Sequence, residues 1–189
     1  MDYYLSLVQP DMAIVTKIAP THIKYFGNTL GVFNEKVKLV RALPKGGLAV
    51  LNADDPMVAK MANDAKARVC WWGEKSKKGV RISNFSQDFS GSSFRVSYAG
   101  QRVFVKWKVV GRHQLLSAYA AAAVGMLNGL TLKQIAKGLS RANSPSHRLN
   151  MIASKRFKIL DDTYNSSPAA LVESINTLVE LGKGMRKIA

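Results

Sequence analysis

Residues 48–73, LAVLNADDPMVAKMANDAKARVCWWG, decide the fold. Leu48–Asn52 is a short apolar run without polar alternation, the pattern of a strand buried on both faces. Asn52, Asp54 and Asp55 then supply turn-forming side chains, and Pro56 pre-sets the first turn of a helix expected over Pro56–Ala67. The stretch closes on a second apolar run, RVCWWG. Upstream, Asp11–Ala19 (DMAIVTKIA) is another unalternated strand, ended by the loop PTHIKYFG. Leu30–Leu43 then places Val32, Val37, Val40 and Leu43 near helical spacing before PKGG stops it. Strand, helix, strand, helix, strand in that order is the pattern of a parallel sheet with helices packed on it.

Downstream the texture changes. SFRVSYAGQRVFVKWKV alternates, with Phe94, Val96 and Tyr98 on one face, an Ala99-Gly100 turn, then Val103, Val105, Trp107 and Val109. That predicts an antiparallel hairpin buried on one side. GRHQLLSAYAAAAVGMLNGL returns to helix, and Thr131–Ala142 is an amphipathic helix with Thr131 as its N-cap. After NSPSHRLN the pattern restarts with a strand over Phe157–Asp161, a helix over Pro168–Leu181 and MRKIA, which reads as the start of a further strand. The expected class is therefore α/β: a mostly parallel sheet flanked by helices, with an antiparallel hairpin and the opening of a second domain. The boundary is placed near Pro145–Arg148, giving residues 1–146 and 147–189. The chain reads as cut, with Met1 an internal methionine used as a start.

Composition narrows the partners. With 28 Lys+Arg against 12 Asp+Glu, the 189 residues carry +16, which favours anionic ligands. The cations are spread from Lys17 to Lys187, and the densest groups, Lys75-Lys77-Lys78-Arg81 and Lys155-Arg156-Lys158, read as solvated faces. A single cysteine, Cys70, excludes an intrachain disulfide framework and fits a reducing cytoplasm. MDYYLSLVQPD lacks the basic n-region of a signal peptide, and AYAAAAVGMLNGL is too short and alanine-rich to span a bilayer. The expectation is a cytoplasmic chain with no membrane partner and no specific nucleic acid.

Several groups are placed where chemistry could occur. Lys158–Pro168, KILDDTYNSSP, ends an apolar run in two carboxylates, a tyrosine and a series of hydroxyl and amide groups. Such a stretch is either a strand closing in a polar turn or the lip of a ligand crevice, since ligands of open α/β sheets sit beyond the carboxyl ends of strands. All three histidines lie in loops at element ends. His22 directly follows a buried strand, where imidazole could ligate a metal, whereas His147 reads as a satisfied polar residue. Lys36, beside Glu35, reads as an exposed helix lysine, and NADDP as a strand-end turn.

The order of these segments is more specific than any of them. PDMAIVTKIAPTHIKYFG, a lysine on the next helix, NADDP, GRHQ, HRLN and DDTYNSSP resemble, in sequence order, the Mur ligases of peptidoglycan synthesis. Within that family DDTYNSSP is similar to the Asp-Asp-Ser/Thr-Tyr-Asn-x-x-Pro of the branch that adds D-Ala-D-Ala to UDP-MurNAc-tripeptide. The resemblance covers nearly the whole chain and is weakest over Lys75–Lys108. It implies a central ATP-binding domain followed by the start of a Rossmann-like C-terminal domain, with ATP and Mg2+ as cofactors. It also implies roles. Gly111, Arg112 and His113 would frame the adenine, with Gln114 where an asparagine is usual. Arg148 would reach a phosphate and Asp162 the ribose, while Tyr164 and Asn165 would line the same cleft. His22 would be the magnesium-associated histidine and Lys36 the lysine whose carbamylated form binds magnesium. The implied reaction forms an acyl phosphate from ATP and the peptide carboxylate, and an amine then attacks to give amide, ADP and phosphate.

The sequence also departs from the family. It contains no G-x-x-x-x-G-K-[ST], the loop whose backbone cradles phosphates and whose hydroxyl meets magnesium. The 189 residues alone are expected not to catalyse, and a separate chain supplying that loop is a candidate partner. Lys17, beside His22, adds a cation that would weaken a metal site. Two alternatives stand: a non-catalytic basic binding module, and a folylpolyglutamate synthase-like ligase, whose matching segment carries a histidine where this chain has DDTYNSSP.

Overall fold

In the computed structural model, which describes residues 1–20, 23–77, 79–154, 156–164 and 167–189, the chain divides into two compact units. The first comprises Met1–Arg81 with Tyr119–Gly129, the second Ile82–Ala118 with Leu130–Ala189. The first unit runs α1 (Asp2–Leu7), β1 (Met12–Val15), α2 (Ile23–Phe26), α3 (Thr29–Arg41), β2 (Leu48–Asn52), α4 (Pro56–Lys60) and β3 (Arg68–Trp72). Its sheet is parallel, in the order β1-β2-β3, with Met12 opposite Leu48 and Leu48 opposite Arg68. The central strand shows why its sequence does not alternate: Ala49, Val50 and Leu51 are each 0% exposed, so both faces are covered. α3 turns Val32, Val37 and Val40 into the same core as Val15, Leu51, Val58 and Met61. Each such aliphatic side chain contributes about 1.5–3 kcal/mol on burial.

β1 and α4 are each several residues shorter than the sequence predicts. β1 stops at Val15 because the chain leaves the sheet: the Ile18 amide donates to the Asp55 carboxylate at 3.0 Å. The helix expected over Pro56–Ala67 starts as predicted, with Asp55 accepting from the Met57 and Val58 amides at 2.9 and 3.0 Å. It passes into a 3₁₀ turn over Met61–Asp64, since Asn63 and Asp64 favour local bonds of their own over continued helix. Arg41 holds Asp64 there, with Nε and Nη2 at 3.0 and 2.7 Å from the same oxygen.

The second unit carries β4 (Arg81–Asp88) from Ile82 onward, β5 (Gly91–Tyr98) and β6 (Gln101–Trp107) in a hairpin-based sheet of order β4-β5-β6, with β5 and β6 antiparallel. The predicted hairpin forms, and its register sets Phe94 opposite Val105 and Val96 opposite Val103. Ala99 and Gly100 both take positive φ, 47° and 79°, the twist of a two-residue hairpin turn. On the inner face Phe94 meets Trp107 edge-on at 5.7 Å and 90°. β4 escapes sequence reading because its alternation slips at Asn84 (φ 55°): Ile82 is buried, and inward positions then resume at Phe85 and Gln87.

α5 (Leu115–Leu127) follows a 3₁₀ turn over Arg112–Gln114, and α6 (Leu132–Arg141) packs across β5 and β6. Thr131 caps α6 as predicted, in a reciprocal box with Gln134. The last part is a two-stranded antiparallel sheet, β7 (Asn150–Ala153) with β8 (Lys158–Asp161), then α7 (Pro168–Leu181), whose first turn is capped by Ser167. MRKIA forms no strand: Met185 closes a turn on Gly182 and residues 186–189 carry no regular structure. An isolated strand gains no ladder bonds until a neighbour lies beside it. Among the described residues no helix is long and apolar enough to cross a membrane.

Candidate functional site

Within the second unit, a loop at Gly111–Gln114 and the segments 147–150 and 161–164 meet around one cavity. The loop is set by Gly111, which at φ 95° adopts a conformation that side-chain-bearing residues avoid. A Cβ there would come within 2.9 Å of His113 Cε1 and Leu149 Cδ1. Two hydrogen bonds fix it: Gly111 N–H donates to Gln87 Oε1 at 2.8 Å, and Gln114 N–H donates back to Gly111 O at 3.0 Å. Arg112 lays its guanidinium over the Phe85 ring at 5.0 Å. His113 Nδ1 lies 3.9 Å from Glu173 Oε2 on α7.

The second wall comes from His147–Asn150 and Asp161–Tyr164. His147 and Leu149 take left-handed conformations, φ 60° and 52°, on either side of Arg148. Each such non-glycine residue costs roughly 1–2 kcal/mol, so surrounding bonds must hold it. Leu149 is 2% exposed, and its N–H donates to Asp162 Oδ1 at 3.2 Å. Ser174 on α7 donates its hydroxyl to the other Asp162 oxygen. Tyr164 N–H donates to His147 O at 3.0 Å, and the Arg148 guanidinium lies 4.3 Å above the Tyr164 ring. Gln114, Ser117, Pro145, Ser146, Arg148 and Tyr164 line a cavity of about 460 Å³.

Three residues singled out from the sequence, Gln114, Arg148 and Tyr164, thus share one cavity. Gly111 shapes the loop beneath Gln114, and Asp162 is turned inward onto Leu149 and Ser174 with a second lone pair left on each oxygen. Asn165 lies outside the described residues. So does His22, and among the described residues no group of three or more His, Cys, Asp or Glu side chains could hold a metal ion. Sequence reasoning missed Gln87 and Phe85, which hold Gly111 and Arg112 from β4, because they fall where the alternation slips and the family resemblance is weakest. It also missed Ser174, one polar residue among many on α7.

Lys36 belongs to the first unit. Its Nζ donates to the Lys17 carbonyl at 3.0 Å, and partial burial pulls its pKa below the ordinary lysine value, with the Asp55 charge opposing. The NADDP carboxylates are tied down structurally. Asp54 accepts from the Glu74 and Lys75 amides at 2.7 and 2.8 Å, and Asn52 reaches Thr16 O at 2.8 Å.

Comparison with known proteins gives a consistent picture. A profile of the Mur ligase middle domain matches residues 2–125. The UDP-N-acetylmuramoyl-tripeptide–D-alanyl-D-alanine ligase of Haemophilus influenzae is 31% identical over 183 residues, which are 94% of this chain and 39% of that protein. The crystal structure of MurF from Acinetobacter baumannii superposes with a TM-score of 0.87 at 27% identity, over 95% of this chain and 39% of that one. A MurF ligase from Thermotoga maritima, solved in complex with ADP, shares the fold with a TM-score of 0.83 at 22% identity, over 94% of this chain and 41% of that one. The chain therefore spans about 39% of the length of the curated relative it matches.

Proposed function

The chain belongs to the Mur ligase family, and from that premise we propose that it is the nucleotide-binding stretch of a ligase that adds D-Ala-D-Ala to UDP-MurNAc-tripeptide. The observation that carries the reading is the convergence of Gln114, Arg148 and Tyr164 on one cavity of about 460 Å³, large enough for a nucleotide. The adenine would lie against the Gly111–Gln114 turn and the ribose near Asp162, whose unused lone pairs suit two hydroxyls. Arg148 would meet a phosphate through its planar fork of donors. Tyr164 and Asn165 would line the same cleft. Residues 1–146 would then be the central domain and 147–189 the beginning of the C-terminal domain, in a cytoplasmic enzyme.

In the proposed reaction a carboxylate oxygen of the tripeptide attacks the γ-phosphorus and ADP leaves. The amine of D-Ala-D-Ala then attacks the acyl carbon, a C–N bond forms, phosphate departs and the amine loses a proton. Mg2+, when bound, would neutralise charge on the transferred phosphoryl group. Lys36 suits a part in holding it, because a lowered pKa raises the fraction of neutral amine that can take up CO2 to become a carbamate. His22 would be its companion. The glycine-rich phosphate loop is not among the 189 residues, so a segment or chain that carries it would be the required partner. The branch-specific DDTYNSSP favours this reading over the folylpolyglutamate synthase-like one.

The test is amide formation from UDP-MurNAc-tripeptide, D-Ala-D-Ala and ATP, followed by product mass and phosphate release. The purified 189-residue chain alone is expected to give none, and addition of a segment bearing the phosphate loop is expected to restore turnover that Arg148→Ala abolishes. Turnover by the chain alone, or restored turnover indifferent to Arg148, would overturn the proposal.

A further inference from the structure

We infer that His147 and Asp161 form a side-chain tie that positions Arg148 for its ligand. The inference rests on the proposed nucleotide site only in what Arg148 is positioned for; the tie itself stands on geometry. His147 Nδ1 lies 2.8 Å from Asp161 Oδ2. A carboxylate only accepts, so Nδ1 carries the proton and donates. The other Asp161 oxygen is held by the Thr163 hydroxyl at 2.8 Å and the Thr163 amide at 3.2 Å. Asp161 is therefore a fixed acceptor, pinned at the end of β8 by the residue that follows it but one.

The tie closes a small ring of bonds around Arg148. On the main chain, Tyr164 N–H bonds His147 O at 3.0 Å. On the side chains, His147 bonds Asp161. One residue on, Leu149 N–H bonds Asp162 at 3.2 Å. His147–Leu149 is thus laced to Asp161–Tyr164 by three bonds, and Arg148 is the residue between the laced positions. Its own N–H is occupied by Asn150 Oδ1 at 3.0 Å. With its backbone held on both sides in left-handed turns, Arg148 can place its guanidinium over Tyr164 at 4.3 Å, although both residues are exposed. An exposed arginine on an unconstrained loop would sample many rotamers and lose that entropy on meeting a ligand. Presenting it ready-made requires a tie, and the side-chain part of that tie is the His147–Asp161 pair. Neither residue lines the cavity, so they are positioning residues.

Position 147 makes two separable demands: a backbone at φ 60° and a donor at the place of Nδ1. Glycine meets the first and not the second. Asparagine meets both, since it tolerates left-handed φ and its amide nitrogen falls near Nδ1. The experiment is NMR on the full 189-residue chain without ligand, reading the Arg148 Nε–Hε resonance, which the face of the Tyr164 ring shields. ADP titration of the same samples follows. Wild type and His147→Asn are expected to show the shielded resonance. In His147→Gly and Asp161→Ala it is expected to move to the position of a free arginine, with the backbone resonances of β5, β6 and α6 unchanged. ADP affinity is expected to fall about tenfold in both, the scale of removing one charge-assisted hydrogen bond. His147→Gly and Asp161→Ala combined should be no worse than either alone. Retention of the shielded resonance in His147→Gly would overturn the inference, because only the backbone demand would then matter. Failure of the wild-type chain to bind ADP would count against the proposed nucleotide site, while the ligand-free resonance would still decide the tie.

Discussion

Replacing Gly111 by alanine should destabilise the chain out of proportion to the one carbon added. At φ 95° an L side chain is strained by about 1–3 kcal/mol. The new Cβ would also sit 2.9 Å from His113 Cε1 and from Leu149 Cδ1. Leu149 is 2% exposed and anchored through its amide to Asp162, so it cannot yield freely, and such overpacking adds about 1–3 kcal/mol. Together these give about 2–6 kcal/mol, and for a chain of this size a fall in Tm of roughly 4–24 °C. Circular dichroism melts, with urea unfolding as a check on the slope, read the effect directly. Gly138 provides the control within the same unit: it lies inside α6, and a Cβ there meets nothing within 4 Å. Gly138→Ala should raise stability by about 0.5–1 kcal/mol, since alanine is the better helix former. A Gly111→Ala melt indistinguishable from wild type would refute the reasoning about the loop.

Other outcomes follow from the same geometry. Phe94 is 0% exposed, so Phe94→Ala should cost about 3–5 kcal/mol, measured as a shift in the urea midpoint; a cost under about 1 kcal/mol would mean that the hairpin's inner face is not a packed core. The Asp161 carboxyl is held below the usual carboxylate range, first by the Thr163 hydroxyl and then by His147, against partial desolvation. A depressed folded pKa contributes stability above the unfolded value near pH 4 that is lost as pH falls through the folded one. Carbon-13 titration should therefore show Asp161 protonating below the usual aspartate range and shifting upward in Thr163→Ala, and an unmoved titration would exclude the hydroxyl as the cause. Lys36, with its pKa lowered by burial, should form a carbamate in ¹³C-bicarbonate at lower pH than surface lysines. A carbamate signal that persists undiminished in Lys36→Arg would remove Lys36 from that role.

Most of the first unit is legible in the sequence because burial on both faces leaves an unbroken apolar signature at Ala49–Leu51, and because Asp55-Pro56 marks a helix start by its own chemistry. Helix ends are less legible. Asn63 and Asp64 turn the chain through a 3₁₀ segment whose position depends on Arg41, a partner 23 residues away. β4 is hidden by a single residue, Asn84, whose left-handed backbone shifts the alternation by one. β7 is hidden because NMIA is too short to show a period and gains its identity only by pairing with β8.

The candidate site divides in the same way. Arg148, Gln114 and Tyr164 stand out by motif, and the fold gathers them. Their supports do not stand out: Gln87 is an ordinary polar residue until Gly111 N–H is seen 2.8 Å from its carbonyl. His147 reads as a satisfied polar residue, and only the structure names its partner, Asp161, 14 positions away. Such roles are set by tertiary proximity, which spacing along the chain does not encode.

The central claim is that this chain holds a nucleotide in the cavity bounded by Gln114, Arg148 and Tyr164. Titrating ADP into the ¹⁵N-labelled chain, with an oligonucleotide of equal charge in parallel, tests it most directly. The account predicts saturable shifts confined to Gly111–Gln114, Arg148 and Asp162–Tyr164, persisting at raised salt and lost in Arg148→Ala. Shifts spread over the lysine-rich surface, stronger with the oligonucleotide and erased by salt, would contradict it and favour a basic binding module.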